Sequence, residues 1–89
     1  MNWYYPATGK QTATGSFVRL VIGFRASNLI LQNSGASDGD IEFSWNGTTT
    51  HGHVEPGEPF NAGDLDFSEI WVKRSSGGSV TFRIWAYAN

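Results

Sequence analysis

Two histidines, His51 and His53, flank Gly52 and are the best-spaced residues in the chain for chemistry. Residues i and i+2 of a strand point the same way, so both imidazoles would face one ion, with Glu58 as a candidate third ligand. The competing reading places both rings on a solvated face beside Glu42, with no ion. Paired carboxylates occur at Asp38/Asp40 and Asp64/Asp66. Both pairs sit in turn-like sequence, where Asp ordinarily caps its own backbone. The chain has no cysteine and no Gly-x-Ser-x-Gly elbow, and no glycine loop leads into a helix. Neither enzymatic activity nor a cofactor is expected.

The histidines fall at the end of Ile41-Glu42-Phe43-Ser44-Trp45-Asn46-Gly47-Thr48-Thr49-Thr50-His51. Ile41, Phe43 and Trp45 alternate with Glu42 and Ser44, the period of a half-buried strand. Asn46-Gly47 suits a two-residue type I′ turn. That turn predicts Trp45 opposite Thr48, Phe43 opposite Thr50 and Glu42 opposite His51. One face of the hairpin is apolar and must be covered by a second layer.

The remaining 78 of the 89 residues must supply that layer. Eleven glycines, few helix formers and short apolar runs between Gly/Ser/Asn/Asp clusters predict an all-β chain. Strands are predicted over residues 16–23, 28–33, 67–74 and 80–87, with irregular sequence over 59–66. The first of these is apolar on both faces except at Arg19 and reads as a central strand. Glu55-Pro56-Gly57-Glu58 is a tight turn, and Phe60 and Leu65 are inward anchors. In residues 67–74, Ile70 and Val72 share a face with Ser68, and Phe67, Trp71 and Lys73 share the other. Ser75-Ser76-Gly77-Gly78 reads as a hairpin loop that sets Trp71 beside Trp85. The fold expected is one domain over residues 1–89, a small antiparallel β-sandwich or jelly roll of about 6–8 strands.

Such a short chain buries only about 60–65% of its unfolded surface, and no disulfide staples it. Association is the usual remedy, so a homo-oligomer is expected. The aromatics suggest where. Residues 1–6 form an arm in which Trp3, Tyr4 and Tyr5 are adjacent, so an extended backbone cannot bury all three on one side. The arm either lies on its own domain or docks on another subunit. In the last strand, Val80, Phe82, Ile84 and Ala86 form the core face, and Thr81, Arg83, Trp85 and Tyr87 an outer row. Trp71, Arg83, Trp85 and Tyr87 therefore join the arm as candidate contacts. Trp45, Trp71 and Trp85 could alternatively stack on sugars.

All eight acids lie between Asp38 and Glu69, and all six bases lie outside that span. Either these segments neutralise each other within the fold, or the molecule has two poles that pair copies head to tail. Eight acids against six scattered bases argue against nucleic acid as a partner. No run approaches the roughly 20 apolar residues of a membrane span. Met1-Asn2-Trp3-Tyr4-Tyr5-Pro6 lacks the basic start and apolar core of a secretory leader. A soluble protein made in a reducing cytosol is expected.

Two family resemblances follow. His51-Gly52-His53 with Glu58 and Gly63 is similar to the first metal motif of cupins, which are jelly rolls. Gly47 is too close to the pair, a turn intervenes before Glu58, and a cupin's third histidine has no counterpart. The wider chain resembles small β-rich bacteriophage virion proteins, in particular capsid decoration or cement proteins. The stretches concerned are Phe43-Ser44-Trp45-Asn46-Gly47-Thr48-Thr49, Val54-Glu55-Pro56-Gly57-Glu58, Glu69-Ile70-Trp71-Val72-Lys73 and Ser76-Gly77-Gly78-Ser79-Val80-Thr81-Phe82-Arg83-Ile84-Trp85-Ala86-Tyr87. They cover the C-terminal half and also describe hairpins of tail-fibre and neck proteins. The resemblance implies a trimeric or similarly symmetric virion protein, assembled in the host cytoplasm, without cofactor. It would bind the major capsid protein, or another virion protein, where capsomers meet. The alternatives are a tail, neck or fibre accessory module and a small carbohydrate-binding β-sandwich.

Overall fold

The computed structural model describes residues 2–7 and 9–88. Met1 of the arm and Thr8 of the following loop lie outside the described residues. Among the described residues no helix occurs. Nine strands form: β1 (Trp3–Tyr4), β2 (Gln11–Thr12), β3 (Val18–Ala26), β4 (Asn28–Asn33), β5 (Ile41–Ser44), β6 (Gly52–Val54), β7 (Pro59–Ala62), β8 (Phe67–Arg74) and β9 (Thr81–Tyr87).

The expected all-β sandwich is present as two antiparallel sheets. One runs β1-β9-β4-β7, with β2 also on β9; the other runs β3-β8-β5-β6. The pairs β5–β6, β4–β7, β3–β8 and β2–β9 are nested in sequence. The chain is thus one long hairpin, with β5–β6 at its tip, rolled so that β4 also meets β9 and β5 also meets β8. This is jelly-roll topology.

Alternation decides what lies between the sheets. From the first sheet come Leu29, Leu31, Phe82, Ile84 and Ala86; from the second come Ile22, Ile41, Phe43, Val54, Phe67, Ile70 and Val72, all buried. Phe60 and Leu65 pack against this core as half-buried anchors. At Gly52, a Cβ would stand 2.5 Å from the Phe43 ring, so the glycine admits that ring to the core.

Five local expectations are corrected. First, β3 lies at the edge of its sheet and is not central. Its apolar outer residues reflect exposure and not a second covering layer: Val21 is 56% exposed. Second, residues 75–80 are not a hairpin loop, because β8 and β9 belong to different sheets. The segment arches across the sandwich, held by Ser75 N–H to Asp40 O (3.0 Å) and Ser79 N–H to the Asp38 carboxylate (2.8 Å). Third, the β5–β6 connection is wider than two residues: Phe43 faces Gly52 and Glu42 faces His53. Asn46 Oδ1 accepts from the N–H groups of Thr48 and Thr49, both at 2.9 Å, and so stabilises a longer loop. Fourth, Phe67 turns inward beside Ile70, because the β3–β8 register shifts between Val21/Glu69 and Ala26/Phe67. Fifth, residues 59–62 form a strand on β4 where irregular structure was expected.

Candidate interaction surface

The outer face of the first sheet is built by two sequence facts. Alternation in β9 sends Arg83, Trp85 and Tyr87 outward while Phe82, Ile84 and Ala86 go in. Pairing of Trp3 with Tyr87 and Tyr4 with Ala86 then lays the aromatic arm along β9 of its own chain. Ala88 N–H donates to Asn2 O at 3.1 Å and extends that pairing. The arm alternates too. Tyr4 turns inward against the core, and burial pushes its phenol pKa up. Trp3 and Tyr5 turn outward and are 59% and 43% exposed.

The outward rings meet in two stacks. Trp3 lies on Tyr87 with centroids 4.6 Å apart and planes 24° from parallel. Tyr5 lies on Trp85 at 5.2 Å and 20°. The adjacent β4 row continues the face: Asn28 opposite Tyr87, Ile30 opposite Trp85 and Gln32 opposite Arg83. Asn61 follows on β7, opposite Ile30. The result is four stacked aromatic rings and an isoleucine with amides and Arg83 at the margin. Arg83 has no ion-pair partner among the described residues.

Five of the seven residues singled out from sequence are thus brought together: Trp3, Tyr5, Arg83, Trp85 and Tyr87. Tyr4 and Trp71 are not. Trp71 lies on β8 of the other sheet, paired with Arg19 and Ser44, with its indole against Gly47. A Cβ at Gly47 would come within 2.8 Å of that ring, and φ there is +81°. Trp71 and Trp85 therefore form no common platform. Sequence reasoning missed Ile30 and Asn61, whose place depends on β4 lying beside β9 and β7 beside β4.

The outer face of the second sheet differs in kind. Arg19 pairs with Glu69, and Arg25 Nη2 with Asp66 Oδ1 at 2.7 Å. Lys73 Nζ lies 3.9 Å from Glu42 Oε1 and 5.1 Å from the centroid of Phe17. Basic and acidic segments neutralise each other here, and exposed pairs of this kind contribute little stability. Glu42 also accepts from Thr50 Oγ1 at 2.6 Å. That bond, with smaller help from Ser75, Lys73 and His53, holds its carboxyl below the usual range although burial opposes the shift.

The histidines do not converge with Glu58. His51 Nδ1 accepts the Trp45 backbone N–H at 3.1 Å. His53 sits across from Glu42, and Glu58 Oε1 accepts from Glu55 N–H at 3.1 Å within its own turn. Among the described residues no three His, Cys, Asp or Glu side chains gather as a metal would require.

One cleft of about 420 Å³ opens where the β3–β8 register breaks. Arg25, Trp45, Asp64, Leu65, Asp66 and Phe67 are among its lining residues. Trp45 forms one wall, with its ring 5.2 Å from that of Phe67. Asp64 has φ +56° and is the sole non-glycine residue described with positive φ. Sequence reasoning read Asp64 and Asp66 as turn carboxylates and had no signal for the cleft, which is made by a register shift.

No protein-family model and no curated protein matches the chain.

Proposed function

We propose that this is a non-enzymatic structural protein of a bacteriophage virion, most simply a capsid decoration protein that bridges coat subunits and stabilises the shell. The observation that carries the reading is the double ring stack on the outer face of the first sheet. Trp and Tyr with a marginal Arg are the residue types that anchor protein interfaces. A face of this kind, on a small chain without disulfides, gains stability when a neighbour covers it. The outer face of the second sheet offers paired charges and no stacked aromatic pair among those described. Jelly rolls also serve as lectins and cupins, so the topology supports the reading without choosing it. A tail, neck or fibre position would use the same face against a different virion protein.

Deleting residues 1–6 removes half of each stack and leaves the eight inner strands. The truncated protein is expected to keep its β-sheet circular dichroism and to lose co-sedimentation with capsids. Undiminished attachment counts against the proposal.

A second reading, a carbohydrate-binding β-sandwich, is favoured by the cleft beside Trp45 and not by Trp71 or Trp85. There an aromatic wall stands beside the Arg25–Asp66 pair and Asp64. A glycan array run with the intact chain and with Asp64→Ala tests it. Binding lost in the variant supports this reading, and silence on every sugar removes it.

A further inference from the structure

Strand β3 departs from the rest of the fold. It is nine residues long, lies at a sheet edge and carries apolar residues on both faces. Val18 is 44% exposed and Val21 56%. The other edges are short or blocked: β1 and β2 have two residues each, β6 has three, and β7 opens with Pro59. Among the described residues, no loop or turn backbone hydrogen bond engages residues 17–25. The regular part of this free edge, Val18 to Val21 before the register shift, is a template for another strand. Lysine and proline, which usually guard such edges, are absent from β3. Its two arginines are already engaged, Arg19 by Glu69 and Arg25 by Asp66.

We propose that two copies of this chain join along β3, antiparallel about a twofold axis, so that two four-stranded sheets become one of eight. The register follows from the faces. Val18 and Leu20 pair with Val72 and Ile70 on the inner side, while Arg19 and Val21 pair with Trp71 and Glu69 on the outer side. Directly opposed residues of an antiparallel pair share a face. An axis normal to the sheet must therefore set one residue against its own copy. Arg19 on Arg19 opposes like charges. Val21 on Val21 sets Arg19 against Gly23, whose φ of +91° lies in the irregular part of the strand. Leu20 on Leu20 keeps the ladder regular, with Val18 opposite Ile22 and Arg19 opposite Val21.

The edge is self-complementary, and this favours a second copy as the occupant. In this register Leu20 meets Leu20 and Val18 meets Ile22, so the inner apolar row of one sheet continues into the other. On the outer face each Arg19, already paired with its own Glu69, lies beside the second copy's apolar Val21. The exposed valines are covered by the same step. The inference goes beyond the capsid reading and does not rest on it, since the aromatic face lies on the other sheet. The pairing closes at two copies, unlike the trimer that the virion resemblance implies.

Sedimentation velocity of the full chain at about 100 µM, enough to populate even a weak complex, should give twice the 9.8 kDa chain mass. Val21→Lys puts a guard residue on the exposed edge and should lower association at least tenfold with an unchanged far-ultraviolet spectrum. The chain has no cysteine of its own, so single cysteines report the register. Leu20→Cys should give a covalent dimer on mild oxidation, because the opposed Cα spacing of a strand pair suits a disulfide. Val18→Cys should not, its copies being about 13 Å apart along the strands. A monomer or a trimer overturns the proposal, as does a dimer indifferent to Val21→Lys or one that crosslinks as readily through Val18→Cys. If Val21→Lys fails to fold, the cysteine pair decides.

Discussion

Asn33 offers the sharpest test of how the two sheets are held together. It is fully buried at the end of β4 in the first sheet. Its Nδ2 donates to Val54 O on β6 of the second sheet at 2.8 Å and to Gly39 O at 3.0 Å. Its Oδ1 is buried with no partner, so the amide already carries an unmet acceptor. Asn33→Asp keeps the shape and removes both donated bonds. The Val54 carbonyl is left buried and unpaired at about 1–3 kcal/mol, and the part-buried Gly39 carbonyl adds about 1 kcal/mol. A buried carboxylate facing two carbonyls adds several kcal/mol more unless it takes up a proton. The expected loss at neutral pH is therefore about 4 kcal/mol or more, against the 5–15 kcal/mol typical of whole domains. Burial raises the folded-state pKa of the introduced carboxyl above its unfolded value. Its protonated form supplies one donor, so the variant is least impaired below the unfolded pKa and loses stability as pH rises through the folded one. Asn33→Leu orphans the same carbonyls but also removes the unmet Oδ1, and should cost about 1–3 kcal/mol less than the carboxylate. Urea unfolding followed by tryptophan fluorescence at pH 4 and pH 7 measures all three proteins. An Asn33→Asp protein within about 0.5 kcal/mol of the parent at pH 7 would refute the clamp.

Three further outcomes follow from the same geometry. Gly52→Ala drives a Cβ into the Phe43 ring, and should cost about 1–3 kcal/mol in urea unfolding; a silent substitution would mean that β6 can shift away. Glu42 has a lowered folded-state carboxyl pKa, so its contribution is present above the unfolded value of about 4.3 and fades as pH falls through the folded value. Thr50→Val removes the largest cause and should flatten that acid limb, whereas an unchanged limb points to other groups. Trp3→Ala removes one ring of an exposed stack and should cost only about 0.5–1.5 kcal/mol. A loss several times larger would make the arm part of the fold's foundation and not of its surface.

Much of the architecture was legible because alternation survives folding. The spans 28–33 and 67–74 became β4 and β8 as read, and the in/out division of β9 followed its alternating residues. What failed depends on neighbours that periodicity does not encode. Apolar residues on both faces of β3 made it look central, yet apolarity reports only what must be covered and not by which chain. Gly77-Gly78 permits a hairpin, but Asp38, forty residues earlier, draws Ser79 into a crossing between sheets. That crossing alone parts Trp71 from Trp85. Of the aromatic face, the β9 row was readable from spacing. The stacking of Trp3 on Tyr87 and Tyr5 on Trp85 required knowing that the arm returns to β9. The cleft was invisible, because a shift between β3 and β8 makes it and no local residue pattern announces it.

The most direct test of the central claim is oxidative footprinting of this chain, free and attached to purified virions, read residue by residue by mass spectrometry. Oxidation of Trp3, Tyr5, Trp85 and Tyr87 should fall several-fold on attachment, with Trp45 and Trp71, away from that face, unchanged as internal controls. Equal oxidation of the four rings in both states, or protection confined to Trp45 and Trp71, would contradict it.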